Sequence, residues 1–283
     1  MQNLTDTPLL SCHSLASLDI TNMYSNILIG ETKTILTDIL RQELANPQTQ
    51  REILKWYDVI TRQNYFTHNK DVITQHDGLA VGAPSSGLIA EMFLQHTEHK
   101  HLPHIKHKHK IINYCRYVDD ILIIFDSTHT NMQQILNDFN TLHPKLQFTA
   151  EMEKDHTLNY LDISIHKTPM DINTAIYRKP TFTDTIIPYT SNHPAHHKYA
   201  TVRFLYNRLN TCGLKQAEYN QELNTLHNIL LHNNVFLIRC HKPPTHNLKN
   251  PTEPCTTKKK WASFTYVGRE TSYITNLFKK KQN

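Results

Sequence analysis

RYVDDILIIF, residues 116–125, decides the fold. Its second half, 121–125, is an unbroken apolar run of strand length. Residues 111–117 read as the partner strand, which puts Asp119 and Asp120 at the tip of an apolar hairpin. Unpaired carboxylates are prohibitive in a core. An arbitrary Asp-Asp turn is usually a solvated one, but this pair projects from strands that would themselves be buried. Hard oxygen donors on a rigid base suit a divalent cation.

SLASLDI at 14–20 is a second short apolar strand, and it ends on Asp19. If the two strands are sheet neighbours, Asp19 and Asp119 bracket one site. Three carboxylates holding two Mg²⁺ about 3.5–4 Å apart suit phosphoryl transfer, one metal activating the attacking hydroxyl and the other the departing pyrophosphate. Between these strands the spacing predicts helices over 32–44 and 50–62, a hairpin over 65–75 turning at Asn69-Lys70, and a helix over 84–97. Beyond the hairpin, Met132, Ile135, Leu136, Phe139 and Leu142 mark an amphipathic helix. Strands are expected at 146–151, 158–166 and 174–178. Helices mixed with mainly antiparallel strands give an α+β fold.

The length of 283 residues allows about two domains. The expected division is a short lead-in at 1–13, the α+β domain at 14–180, a helical domain at 181–240, and a linker and tail at 241–283. The helical domain holds two helices, 195–209 and 214–231, broken at Thr211-Cys212-Gly213 in a helix-turn-helix outline. The tail contains a short structured fragment at 264–278. Thirty Lys and Arg against 25 Asp and Glu leave +5, which permits a phosphate-bearing partner without demanding one. No run approaches the ~20 apolar residues of a membrane span, and the first residues lack a signal-peptide pattern. The expectation is an intracellular protein, nuclear or cytoplasmic, neither secreted nor in a membrane. Five cysteines without CxxC spacing fit a reducing compartment. The run of histidines from His96 to His109 reads as a solvated surface loop, with nucleic-acid contact as the second reading and a metal site as the third. Cys240, His241, His246 and Cys255 form an irregular set, a weak candidate for structural zinc.

RYVDD at 116–120 resembles motif C of reverse transcriptases, SLDITNMYSNI at 17–27 resembles motif A, and GLAVGAPSSGLIAEMFL at 78–94 resembles motif B. Their order and spacing are those of a polymerase palm. The finer pattern is similar to Penelope-like retroelements. It is carried by NYFTHNKDVITQHDGLAVGAP (64–84), LQFTAEMEKDHTLNYLDISI (146–165), YRKPTFTDTIIPYTSNHPAHHKYATVRFLYNRL (177–209) and FTYVGRETSYITNLFKK (264–280). Gly87 stands where that family usually has proline, and motif A begins too early to leave room for fingers. The endonuclease typical of many such elements is not seen, so a fragment is expected.

The resemblance implies an α+β palm with an antiparallel sheet, then a helical thumb over 181–240. It implies an RNA-directed DNA polymerase that uses two Mg²⁺, or Mn²⁺ in their place, with an RNA template, a DNA primer and dNTPs as partners. Asp19 and Asp119 would bind metal, with Asp120 in support and the Ile20 carbonyl as a backbone ligand. Tyr24 matches the ring that excludes a ribose 2′-OH. Gly78, Gly82 and Pro84 match the turn facing nucleotide and template, with Gln75 assisting. Tyr160 and Leu161 fall at the primer grip, and Lys198, Arg203 and Arg208 suit phosphate contact by the thumb. Two other readings remain open here: a non-catalytic remnant that binds nucleic acid, and a helix-turn-helix DNA-binding protein.

Overall fold

A computed structural model of the chain describes residues 10–168 and 171–235. The zinc candidates Cys240, His241, His246 and Cys255, and the fragment at 264–278, lie outside the described residues. Contacts divide the chain into two units, one running to Pro180 and including Cys212–Glu218, the other comprising Thr181–Thr211 and the residues from Tyr219 on.

The first unit runs β1 (His13–Ile20), α1 (Met23–Asn26), α2 (Ile29–Glu43), α3 (Pro47–Arg62), β2 (Tyr65–His68), β3 (Asp71–Thr74) and α4 (Ser86–Lys108). It continues through β4 (Ile111–Tyr117), β5 (Asp120–Asp126), α5 (Met132–Phe139), β6 (Phe148–Met152), β7 (Thr157–Tyr160), β8 (Ile163–Lys167) and β9 (Ile172–Ile176). Four strands form an antiparallel sheet in the order β4-β5-β1-β6. Side chains alternate along a strand, so each central strand serves two cores. Ala16, Leu18, Ile20, Ile121, Ile123 and Phe125 pack with the helices. Leu15, Leu122 and Ile124 pack with the separate sheet β7-β8-β9. Covered on both faces, β5 reads as an unbroken apolar run instead of an alternating one.

Two expectations change. The histidine run is not a loop, because residues 98–108 complete α4. Leu94, Thr97, Leu102 and Ile105 keep a helical spacing toward the core, while most of the histidines and lysines occupy the exposed face together with Pro103. The polar exposed face hid the period. The single strand expected at 158–166 is a hairpin, β7 and β8, turning at Leu161-Asp162 with Leu161 at φ +52°. Leu158, Tyr160, Ile163 and Ile165 are all inward-facing, so the apolar pattern ran across the turn without a break.

In the second unit α6 (Ala195–Thr211) and the part of α7 (Gln216–His232) from Tyr219 on are joined by a small core of Val202, Leu230 and Val235. Asn233 fastens the preceding connector: its Nδ2 donates to the Asp184 carbonyl at 2.7 Å and its Oδ1 accepts from the Ile186 N–H at 3.1 Å. No helix among the described residues is long and apolar enough to cross a membrane.

Candidate active site

β1 pairs with β5 so that the last registered pair is Asp19 opposite Asp120. Cross-strand partners share a face, and this pair extends the face of Leu15 and Ile124 beyond the apolar cover. Asp19 is exposed, while Asp119 and Asp120 are half-buried. The Ile20 N–H donates to the Asp119 carbonyl at 3.2 Å, which ties the end of β1 to the turn. Tyr160, buried at the end of β7, donates its hydroxyl to the Asp120 carbonyl at 3.1 Å. That hydroxyl is pushed up to about 12 by burial and by the Asp120 charge.

Like charges directly opposite each other on neighbouring strands are destabilising. Burial and the Asp119 charge hold the Asp19 carboxyl above its ordinary value. The Asp120 carboxyl is raised by burial, then by Asp119 and Asp19, with Lys179 pulling the other way. No basic side chain forms an ion pair with these three acids among the described residues. Neighbouring carboxylates that raise one another's pKa suit a hard divalent cation. Among the described residues no three His, Cys, Asp or Glu side chains form a ready-made metal cage.

Beneath the turn lies a group that the sequence reading passed over. Val118 adopts φ +56°, the left-handed region, where a β-branched residue is an outlier. Arg116 donates from Nη1 to the Val118 carbonyl at 3.0 Å. Its guanidinium also binds Glu91 and Glu98, both on α4, and the Tyr114 hydroxyl donates to Glu98 at 2.6 Å. Strand period 2 puts Tyr114 and Arg116 on one face, and the seven-residue step from Glu91 to Glu98 puts both acids on one side of the helix. Only the two periods together, once strand and helix are docked, would have revealed the set.

The residues expected to face the nucleotide gather at a second turn. Gly78 has φ +80°, and a Cβ there would stand 2.6 Å from the Ser25 carbonyl oxygen and 2.9 Å from Ser25 Cα. Glycine is required by both the dihedral and the close approach. The Leu79 N–H donates to the Tyr24 carbonyl at 2.7 Å, so the segments resembling motifs A and B are joined backbone to backbone. The Tyr24 hydroxyl comes within 4.0 Å of where a Cβ on Gly87 would stand. Gln75 donates to the Asp77 carbonyl, while Asp77 Oδ1 accepts from the Ile29 and Gly78 N–H groups. Asp77 is thus a second residue that the sequence reading missed. Gly82, at φ +88°, has no atom within 4 Å of such a Cβ, and Pro84 is exposed beside it. Of the expected grip, Tyr160 points into the second core, and Leu161 sits 39% exposed at the hairpin corner.

In the second unit Lys198 donates to the Tyr189 carbonyl at 2.7 Å and lies over the Tyr189 ring. Arg203 is exposed and reaches the His196 carbonyl at 3.4 Å, and Arg208 lies over the Phe204 ring.

The family model described as reverse transcriptase (RNA-dependent DNA polymerase) matches residues 5–206. A second, the animal helix-turn-helix domain, matches residues 185–234. No curated protein matches the chain. Among solved structures, telomerase from Candida albicans in complex with a fragment of telomeric RNA aligns at TM-score 0.52 with 10% identity, covering 79% of this chain and 40% of that one. Apo telomerase from Candida tropicalis aligns at TM-score 0.50 with 9% identity, covering 79% of this chain and 42% of that one. At such identities the likeness concerns the fold, a polymerase palm of mixed helices and antiparallel strands. The chain spans 36–42% of the length of the telomerase chains it matches. Polymerases of this kind work with divalent metal ions.

Proposed function

The chain belongs to the reverse transcriptase (RNA-dependent DNA polymerase) family, and on that premise we propose that it extends a DNA primer on an RNA template. The subtype is that of Penelope-like retroelements, on the stretches quoted from 64–84, 146–165 and 177–209. One observation carries the reading: two strands meet in register at Asp19 and Asp120, with Asp119 next to Asp120, and among the described residues no basic side chain forms an ion pair with any of the three. Unpaired like charges at the rim of a well-packed sheet are costly to keep. A divalent cation relieves that cost.

Asp19 and Asp119 would hold two Mg²⁺, with Asp120 in support and the Ile20 carbonyl as a backbone ligand. Ions held there would supply activation of a primer 3′-OH and charge stabilisation at the departing pyrophosphate. Tyr24, carried on α1 and fastened through its carbonyl to Leu79, puts its ring under the sugar and disfavours a ribose. The Gly78 and Gly82 turn presents bare backbone to nucleotide and template, with Pro84 and Gln75 at its borders. Leu161, at the exposed hairpin corner above Tyr160, contacts the primer end. Lys198, Arg203 and Arg208 belong to a thumb that follows duplex phosphates. We place this activity, which consumes dNTPs and copies RNA, in the nucleus or cytoplasm. A second reading, DNA contact by the helix pair, is favoured by the helix-turn-helix match over 185–234.

Primer extension on an RNA template with dNTPs and Mg²⁺ tests the proposal, comparing the chain with its Asp119→Asn/Asp120→Asn double variant. Extension that disappears in the variant supports it. A folded chain that binds primer–template and extends nothing overturns catalysis and leaves the nucleic-acid-binding reading.

A further inference from the structure

The Arg116 side chain is 7% exposed and spends its donors on three partners. Nη1 and Nη2 reach the two Glu91 oxygens at 2.9 and 3.0 Å, and Nη2 also reaches Glu98 at 3.0 Å. Nη1 is shared with the Val118 carbonyl at 3.0 Å. A buried ion pair is weak evidence of a role in stability, because well-packed apolar residues usually do as well. The bond to Val118 is a more specific feature. Val118 is the only β-branched residue at positive φ among the described residues, and it immediately precedes Asp119. A dihedral of this kind is strained and persists only where surrounding contacts over-determine it. Arg116 supplies such a contact, and Glu91 and Glu98 anchor it to α4.

We propose that Arg116 is a positioning residue for the metal site: clamped to α4 by Glu91 and Glu98, it holds the left-handed Val118 peptide and so fixes the direction of the Asp119 carboxylate. The inference rests on the polymerase reading of that carboxylate. It assigns Arg116 no contact with substrate. It also requires the planar fork of arginine, since the three rotatable donors of lysine cannot hold two carboxylates and a carbonyl in one plane.

The test is Mn²⁺ titration of the full chain by calorimetry, without substrate, for the wild type, Arg116→Lys, Glu91→Gln and Asp19→Asn/Asp119→Asn. Circular dichroism and thermal melting identify the variants that remain folded. Groups that orient metal ligands from outside the coordination shell typically change affinity about 10–100-fold. Arg116→Lys is therefore expected to weaken Mn²⁺ binding by at least about tenfold, and raised metal concentration should restore its primer extension. Should Arg116→Lys fail to fold, Glu91→Gln carries the test: it leaves Glu98 in place and should weaken Mn²⁺ a few-fold. A folded variant of either kind with wild-type Mn²⁺ affinity overturns the inference alone. A wild type that binds no Mn²⁺, or binds it as well after loss of Asp19 and Asp119, overturns the metal site and this inference with it.

Discussion

The Asp119 turn and the Gly78 turn are built differently. The acid turn is held by side chains from its surroundings: Arg116 from β4 and Tyr160 from β7, at the rim of two packed cores. The glycine turn is held at its backbone N–H groups, by Leu79 donating to the Tyr24 carbonyl and by Ile29 and Gly78 donating to the Asp77 carboxylate. Its neighbours are open: all eight residues of β2 and β3 are exposed, and Val81 is 83% exposed. On the proposed reading, carboxylates that share a metal must sit at fixed separations, which calls for rigid packing, and a surface that accepts a changing base pair needs bare backbone and room around it.

The largest effect should come from the acid turn. Asp19→Asn is expected to reduce extension by about 10³-fold or more, since a metal-held charge is worth several kcal/mol in the transition state. Steady-state extension at saturating Mg²⁺ measures it, and a loss below tenfold would break the contrast between the two turns.

Next comes Gly78→Ala, expected to destabilise the first unit by about 2–4 kcal/mol, because the new Cβ meets Ser25 backbone at a disfavoured φ. Gly82→Ala keeps only the dihedral penalty of about 1–2 kcal/mol, since its Cβ would meet nothing. Urea denaturation of the pair separates steric from torsional need. Equal losses would refute the close approach at Gly78.

Tyr160→Phe removes one hydrogen bond to the Asp120 carbonyl and keeps the ring in its core. A loss of about 1 kcal/mol in stability is expected. Extension should fall only modestly, because Arg116 still supports the turn.

The smallest effect has the opposite sign. Asp19 and Asp120 have raised carboxyl pKa values, with burial as the first cause and Asp119 as a further one. A carboxyl with a raised folded pKa costs stability once pH exceeds its unfolded value near 3.9, and the cost is complete above the folded pKa. Asp119→Asn should therefore raise the melting temperature at pH 7 by about 1–3 °C, solvent screening keeping it small. The gain should vanish below pH 4, and millimolar Mg²⁺ should erase it by stabilising the wild type alone. A variant that melts lower at pH 7 would show that the acids do not repel.

Much of the acid turn was legible because its signals are local. An apolar run that stops on a carboxylate marks both the strand and the candidate site at its end, as in LASLDI and in VDDILIIF. The glycine turn was legible through Gly78 and Gly82, although the reason for Gly78 lies in Ser25, far away along the chain. Where polarity and period disagreed, the reading failed: the histidine-rich face hid the second half of α4, and continuous inward apolarity hid the turn at Leu161. Asp77 and Arg116 gave no signal, since isolated charged residues look alike on paper until a helix end or a left-handed peptide is set beside them.

By itself the sequence determined most of the strands and helices, the candidate acids and the family, because periodicity and motif order are written in consecutive residues. Tertiary structure alone decided that Asp19 stands opposite Asp120, that Ser25 crowds Gly78, and that Arg116 bridges two glutamates to the Val118 peptide. Register and docking depend on contacts between residues distant in the chain, whose free energies exist only after the backbone has closed the loops between them.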